Sequence, residues 1–200
     1  RLRARASAGA RGPGEATRAP PRKMRGVSAL SALGREIIHL EFGQPDFSAP
    51  SAAVESIQKS MEKNSAKYTS SKGLILLRNE ISKKYLDDYG VKVLPEQILV
   101  SNGSSFLIYI AIKTLCPPGS EVILTDPCYA CYENLISLAG SVPVMIILSK
   151  ENGFHLDIYE LKKSLSTRTR AIIINSPMNP TGLVFPSALL QGLADLDIPI

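Results

Sequence analysis

Three stretches of this 200-residue chain gather side chains able to do chemistry. The first is Ser101-Asn102-Gly103-Ser104-Ser105. It reads as the junction between a strand and an apolar helix. A glycine and small hydroxyl residues there leave backbone N–H groups free at the helix start, where the aligned peptide dipoles add partial positive charge. That arrangement suits a phosphate, although the same serines also make an ordinary helix cap. The glycine spacing matches neither a Walker A loop nor a dinucleotide fingerprint. The second stretch is Asp126-Pro127-Cys128-Tyr129-Ala130-Cys131-Tyr132. It follows an expected strand and opens an expected helix, at the end of a sheet where ligands bind. Tyr129 can stack there on a flat ligand, or pack at the helix start. Cys128 and Cys131 have the spacing of a redox pair. A zinc site needs four ligands, and the other candidates, Cys116, His39 and His155, lie far off in sequence. The third stretch is Asn175-Ser176-Pro177-Met178-Asn179-Pro180-Thr181-Gly182, after an apolar run. Its Asn, Pro and Gly content makes a rigid loop that can aim an amide at a ligand oxygen, or a plain turn.

The elements that must hold these stretches follow from residue patterning. Ile37–Phe47 reads as a short strand ending in a turn. Val54, Ile57 and Met61 are spaced for a helix over 50–63. A helix over 73–89 places Leu74, Leu77, Ile81 and Tyr85 on one face, with Arg78, Glu80, Lys83 and Lys84 away from it and Gly90 as its cap. From there strands and helices alternate: strands at 97–101, 121–125, 142–148 and 171–175, and helices at 104–115, 129–139, 157–165 and 186–196. Asp157 caps its helix, and Ile198–Ile200 opens another strand. The helix over 104–115 is almost wholly apolar and is expected to be buried. Such alternation predicts an α/β fold, a three-layer arrangement of a mainly parallel sheet with helices on both faces.

Composition bounds the class. With 44% hydrophobic and 20% charged residues, the chain suits one ordinary globular domain or part of a larger one, and wholesale disorder is excluded. No apolar run approaches the about 18 residues of a membrane span. Three cysteines do not make a disulfide framework, so a reducing, cytoplasmic setting is expected. The net charge of +5 is unevenly spread: residues 1–26 hold seven Arg and one Lys against one Glu, and the remainder is net −2. That basic tail is read as disordered, with a transit peptide or a nucleic-acid arm as alternative readings. The globular part is expected to bind neither nucleic acid nor membrane.

Taken in order, GQPDF at Gly43–Phe47, KYTSSKGLILLR at Lys67–Arg78, SNGSS, DPCYACY and NSPMNPTG resemble the N-terminal half of a class I/II aminotransferase, a pyridoxal-phosphate-dependent enzyme of fold type I. The resemblance runs from about Ile37 to Ile200. It implies an N-terminal arm and small-domain segment at 27–66 and part of the cofactor-binding large domain at 67–200. It also implies that Gly103, Ser104 and Ser105 hold the cofactor phosphate and that Tyr129 stacks on the pyridine ring, where Trp is common in relatives. Asn179 would donate to the ring's phenolic oxygen, and Tyr68 would reach the phosphate bound to a neighbouring subunit of a homodimer. Gly43, Tyr129 and Asn179 would lie near the substrate carboxylate. Met178 stands where other residues are usual and is assigned no role.

In such enzymes a lysine carries the cofactor, a carboxylate holds the ring nitrogen protonated, and an arginine binds the substrate carboxylate. The last Lys here is Lys163 and the last Arg is Arg170, both before the NPTG loop, and neither Asp195 nor Asp197 matches the ring-nitrogen partner. The expectation is therefore an incomplete aminotransferase chain without its catalytic lysine, acting on an amino acid and a 2-oxo acid when whole. A lyase of the same fold, or a catalytically dead remnant that keeps the phosphate scaffold, are the alternatives.

Overall fold

The computed structural model describes residue 30 and residues 32–34, 36–38, 43, 45–63 and 67–200. The expected tail and residues 39–42 and 44 of the expected strand and turn at 37–47 lie outside the described residues; Ile37 and Ile38 themselves form no strand. The chain divides into two units, Arg1–Ala66 and Lys67–Ile200. In the first, helix α1 spans Ser51–Glu62 behind Pro50, and none of its residues is buried within the unit.

In the second unit, α2 (Ile75–Tyr89) ends at Gly90 and a single turn at Pro95–Gln97 follows. The expected apolar face of α2 is met only in part: Ile81 is half-buried, and Glu80, Lys83 and Lys84 are exposed as expected. Arg78 is its one buried residue, whereas Leu74, Leu77 and Tyr85 are exposed. The guanidinium is buried because it has acceptors: Nε donates to Gly73 O at 3.3 Å and Nη1 to Pro95 O at 2.8 Å, which ties the start of α2 to the segment beyond it. No strand forms at 97–101: Gln97 belongs to the turn, Ile98 is extended, and Val100 N–H donates to Lys72 O at 3.0 Å outside any sheet.

The rest is α3 (Ser104–Leu115), β1 (Glu121–Asp126), α4 (Tyr132–Ala139), β2 (Val142–Ile147), α5 (Ile158–Lys163), β3 (Thr169–Ile172) and α6 (Ser187–Ala194). The strands form one parallel sheet in the order β2-β1-β3. The period-2 alternation of β1 feeds two cores, one on each face. Ile123 packs with Ile146, Leu161, Ile172, Met178, Phe185 and Leu193 on the α5/α6 face. Val122 and Leu124 pack with Ile112, Cys116, Ile136, Ala139 and Ala171 on the α3/α4 face. Residues 121–125 of β1 are buried because both sheet faces are covered, and only Asp126 at its carboxyl end is exposed. Asp157 caps α5 as expected, its Oδ1 accepting from Tyr159 N–H at 2.8 Å. The helix at 104–115 has its expected bounds, but only Ile112 is buried, because α4 and β3 cover just part of its surface. Residues 198–200 form no strand, although Ile172 N–H donates to Pro199 O at 2.9 Å.

Candidate functional site

The strand order creates a crevice. From β1 the chain crosses to β2 through α4 on one face of the sheet, whereas from β3 it leaves toward α6 on the other. The loops after β1 and β3, neighbours in the sheet, therefore part at their carboxyl ends. In open parallel sheets that is the switch point where ligands bind. The loop after β1 carries Tyr129 and the loop after β3 carries Asn179.

Helix α3 brings its N-terminus to the same edge. Its C-terminal Cys116 packs on Val122 near the start of β1, so α3 runs back along the strand. Twelve helical residues span about 18 Å, and the six of β1 span about 20 Å. The start of α3 consequently lies level with the carboxyl end of β1. The helix begins behind Gly103, at φ +90°, and no side chain caps it. A Cβ at Gly103 would meet nothing, but the positive φ is one that residues with side chains rarely adopt. The Gly103 N–H is already used, donating to Ser101 O at 3.0 Å. The donors left to an anion are the Ser104 and Ser105 N–H groups, which have no acceptor among the described residues, and the two hydroxyls.

Tyr129 is half-buried, and it precedes α4 rather than starting it as the sequence suggested. Its ring meets Tyr132 edge-on, with centroids 5.4 Å apart and an interplanar angle of 80°, and its carbonyl accepts from Tyr132 N–H at 3.0 Å. The edge contact fixes the ring. Beside it, Cys128 and Cys131 are free thiols. Burial, and then the Asp126 and Glu133 carboxylates, push the Cys128 thiol up, the opposite of the activation a redox cysteine requires.

The Asn179 loop is stapled by its own side chains. Asn175 Oδ1 accepts from Asn179 N–H at 2.9 Å and Ser176 Oγ from Phe185 N–H at 3.1 Å, and Thr181 Oγ1 accepts from Leu183 N–H at 3.3 Å. Met178, given no role from sequence, is a core residue 3% exposed. Its backbone closes the turn, N–H to Leu183 O at 2.8 Å and O from Gly182 N–H at 2.7 Å. The Asn179 side chain is left facing solvent. Nothing in the hydropathy pattern distinguished Met178; Asn175 was detectable, since an Asn four residues ahead of a turn amide is a known local staple.

Tyr68 is fully exposed, ahead of a turn in which Gly73 N–H donates to Ser70 O at 2.8 Å. That turn is held against Val100, where a Cβ on Gly73 (φ +92°) would come within 2.7 Å of Val100 Cβ. Gly43 belongs to the first unit and is exposed there, with open space at its Cβ position.

An uncapped helix start, an aromatic ring packed edge-on and an exposed amide thus lie on the loops and helix start of one α/β domain. The comparisons with known proteins give the family. Residues 35–196 match the model for aminotransferase class I and II, and the chain belongs to that family, whose members depend on pyridoxal phosphate. It is 39% identical over 162 residues to a (5-formylfuran-3-yl)methyl phosphate transaminase of Methanocaldococcus jannaschii, covering 81% of this chain and 42% of that protein. It is 36% identical over 167 residues to an aspartate aminotransferase of Geobacillus stearothermophilus, covering 84% and 42%. Among solved structures, an aspartate aminotransferase of Thermotoga maritima superposes with a TM-score of 0.81 at 33% identity, over 88% of this chain and 48% of that one. A Thermus thermophilus aspartate aminotransferase variant gives 0.81 at 30%, over 93% and 50%. The chain thus spans less than half the length of the curated relatives it matches.

Proposed function

We propose that the whole protein transfers an amino group from an amino acid to a 2-oxo acid with pyridoxal phosphate, and that residues 67–200 supply the phosphate and ring contacts. The observation that carries this reading is the uncapped start of α3 at the crevice between the β1 and β3 loops. The cofactor, when bound, supplies the electron sink that lets an amino acid's α-proton leave. Ser104 and Ser105 bind its phosphate through N–H groups and hydroxyls, with the helix dipole favouring the dianion, and Gly103 keeps the approach clear of a side chain. Tyr129 stacks on the ring and excludes water from that face. Asn179 donates its amide to the ring's phenolic oxygen and, with Tyr129, lies near the substrate carboxylate. Tyr68, fully exposed, reaches the phosphate of a neighbouring subunit in a homodimer. Lys163 sits on α5, outside the three loops, with its Nζ on Glu160 at 2.6 Å, and is assigned no proton transfer.

The test is the whole protein mixed with pyridoxal phosphate, a panel of amino acids and 2-oxoglutarate. Glutamate formation from at least one donor is expected. Release of ammonia or side-chain fragments without glutamate would replace this reading by a lyase, and no retained cofactor would end it. Tyr129→Ala is expected to weaken cofactor retention about fivefold, the value of one aromatic contact, as read by equilibrium dialysis.

A further inference from the structure

Thr125 is the fifth residue of β1, 6% exposed, on the face where Ile123 and Met178 pack. A hydroxyl buried among apolar side chains is costly unless it is bonded. Its Oγ1 lies 3.2 Å from Pro127 O, two residues ahead of Tyr129, and 3.7 Å from Met178 Sδ, one residue ahead of Asn179. The hydroxyl thus has one acceptor in the loop that carries the aromatic and one in the loop that carries the amide. Those loops belong to different strands, and the Asn179 loop bonds mainly to itself. Met178 is the peg that joins this loop to the core, and a thioether is long and unbranched enough to reach beneath it while offering a weak acceptor.

We propose that Thr125 and Met178 form a positioning pair that sets the spacing between Tyr129 and Asn179, and with it the tilt of a flat ligand held between them. The pair touches no ligand itself. This inference rests on the reading of Tyr129 and Asn179 as ring contacts, so its test needs one arm free of cofactor.

The variants are Thr125→Val, which keeps the shape and removes the hydroxyl, Thr125→Ser, which restores it, and Met178→Leu, which keeps the volume and removes the sulfur. All are made in the whole protein. In the cofactor-free form, amide hydrogen exchange at Asn179 and Gly182 is expected to speed up about fivefold in Thr125→Val, the equivalent of one lost hydrogen bond. Core amides such as that of Ile123 should be unaffected, Thr125→Ser should return to the parent rate, and Met178→Leu should fall between. With pyridoxal phosphate added, its visible circular dichroism should change in Thr125→Val and recover in Thr125→Ser. Equal acceleration of loop and core amides would show a purely structural role and overturn the pair, as would unchanged exchange. If exchange responds as expected but the parent protein binds no pyridoxal phosphate, the coupling of the loops stands and the ring reading falls.

Discussion

Glu121 shows how much of the fold rests on single side chains away from the crevice. Its carboxylate is at the opposite end of β1, with the side chain 8% exposed, and it accepts from Ser166 Oγ at 2.5 Å and from Arg168 Nη2. A buried carboxylate is tolerable only with such partners. Because the Arg168 side chain is 65% exposed, Glu121→Gln is expected to cost about 2 kcal/mol, in the range of hydrogen bonds to a charged group. Urea unfolding reads that loss, and a change below the error of the fit would show the cluster to be ornamental. Cys128 gives a pH prediction of known sign. Burial and two nearby carboxylates disfavour its thiolate, so its alkylation by iodoacetamide should reach half-maximal rate above the ordinary thiol value of about 8.5. Peptide mass spectrometry across pH measures it; a midpoint below that value would mean that an activating cation faces the thiol.

The elements depend on a few junctions where backbones approach closely. The stretch holding Tyr68 meets the segment before Ser101 through Gly73 and Val100, and Arg78 fastens the same corner from inside. Gly73→Ala forces both a positive φ on a residue with a Cβ and a contact with Val100, so a loss of about 2 kcal/mol is expected, again by urea unfolding. A stability unchanged by Gly73→Ala would mean that this corner relaxes freely. The apolar spacing of α2 misread this corner. Leu74, Leu77, Ile81 and Tyr85 suggested the buried face by their type, but only Ile81 is even half-buried, and burial went to Arg78, whose donors find carbonyls.

At the scale of the whole molecule, the two covered faces of β1 contrast with open apolar surface elsewhere. Ile108, Ala111, Leu115, Ile173 and Ile200 line a groove of about 260 Å³ between α3 and β3. These 200 residues expressed by themselves are expected to bind a hydrophobic dye and to self-associate, as judged by fluorescence and size-exclusion chromatography, since exposed apolar patches and open sheet edges do both. A monodisperse, dye-silent sample would disprove this. The sequence by itself determined the alternation from residue 104 to 194, the caps at Gly90 and Asp157, the helix start at Ser104 and the loops that carry Tyr129 and Asn179, but not the expected strands at 97–101 and 198–200. All of these are local: periodicity, capping and turn chemistry act between residues a few positions apart. Only the tertiary structure decided the order β2-β1-β3, the crevice it opens, the half-exposed state of α3 and the meeting of Thr125 with Met178 across 53 residues. Strand pairing and core contacts join residues far apart in the chain, and one residue's type does not reveal which distant partner will cover it.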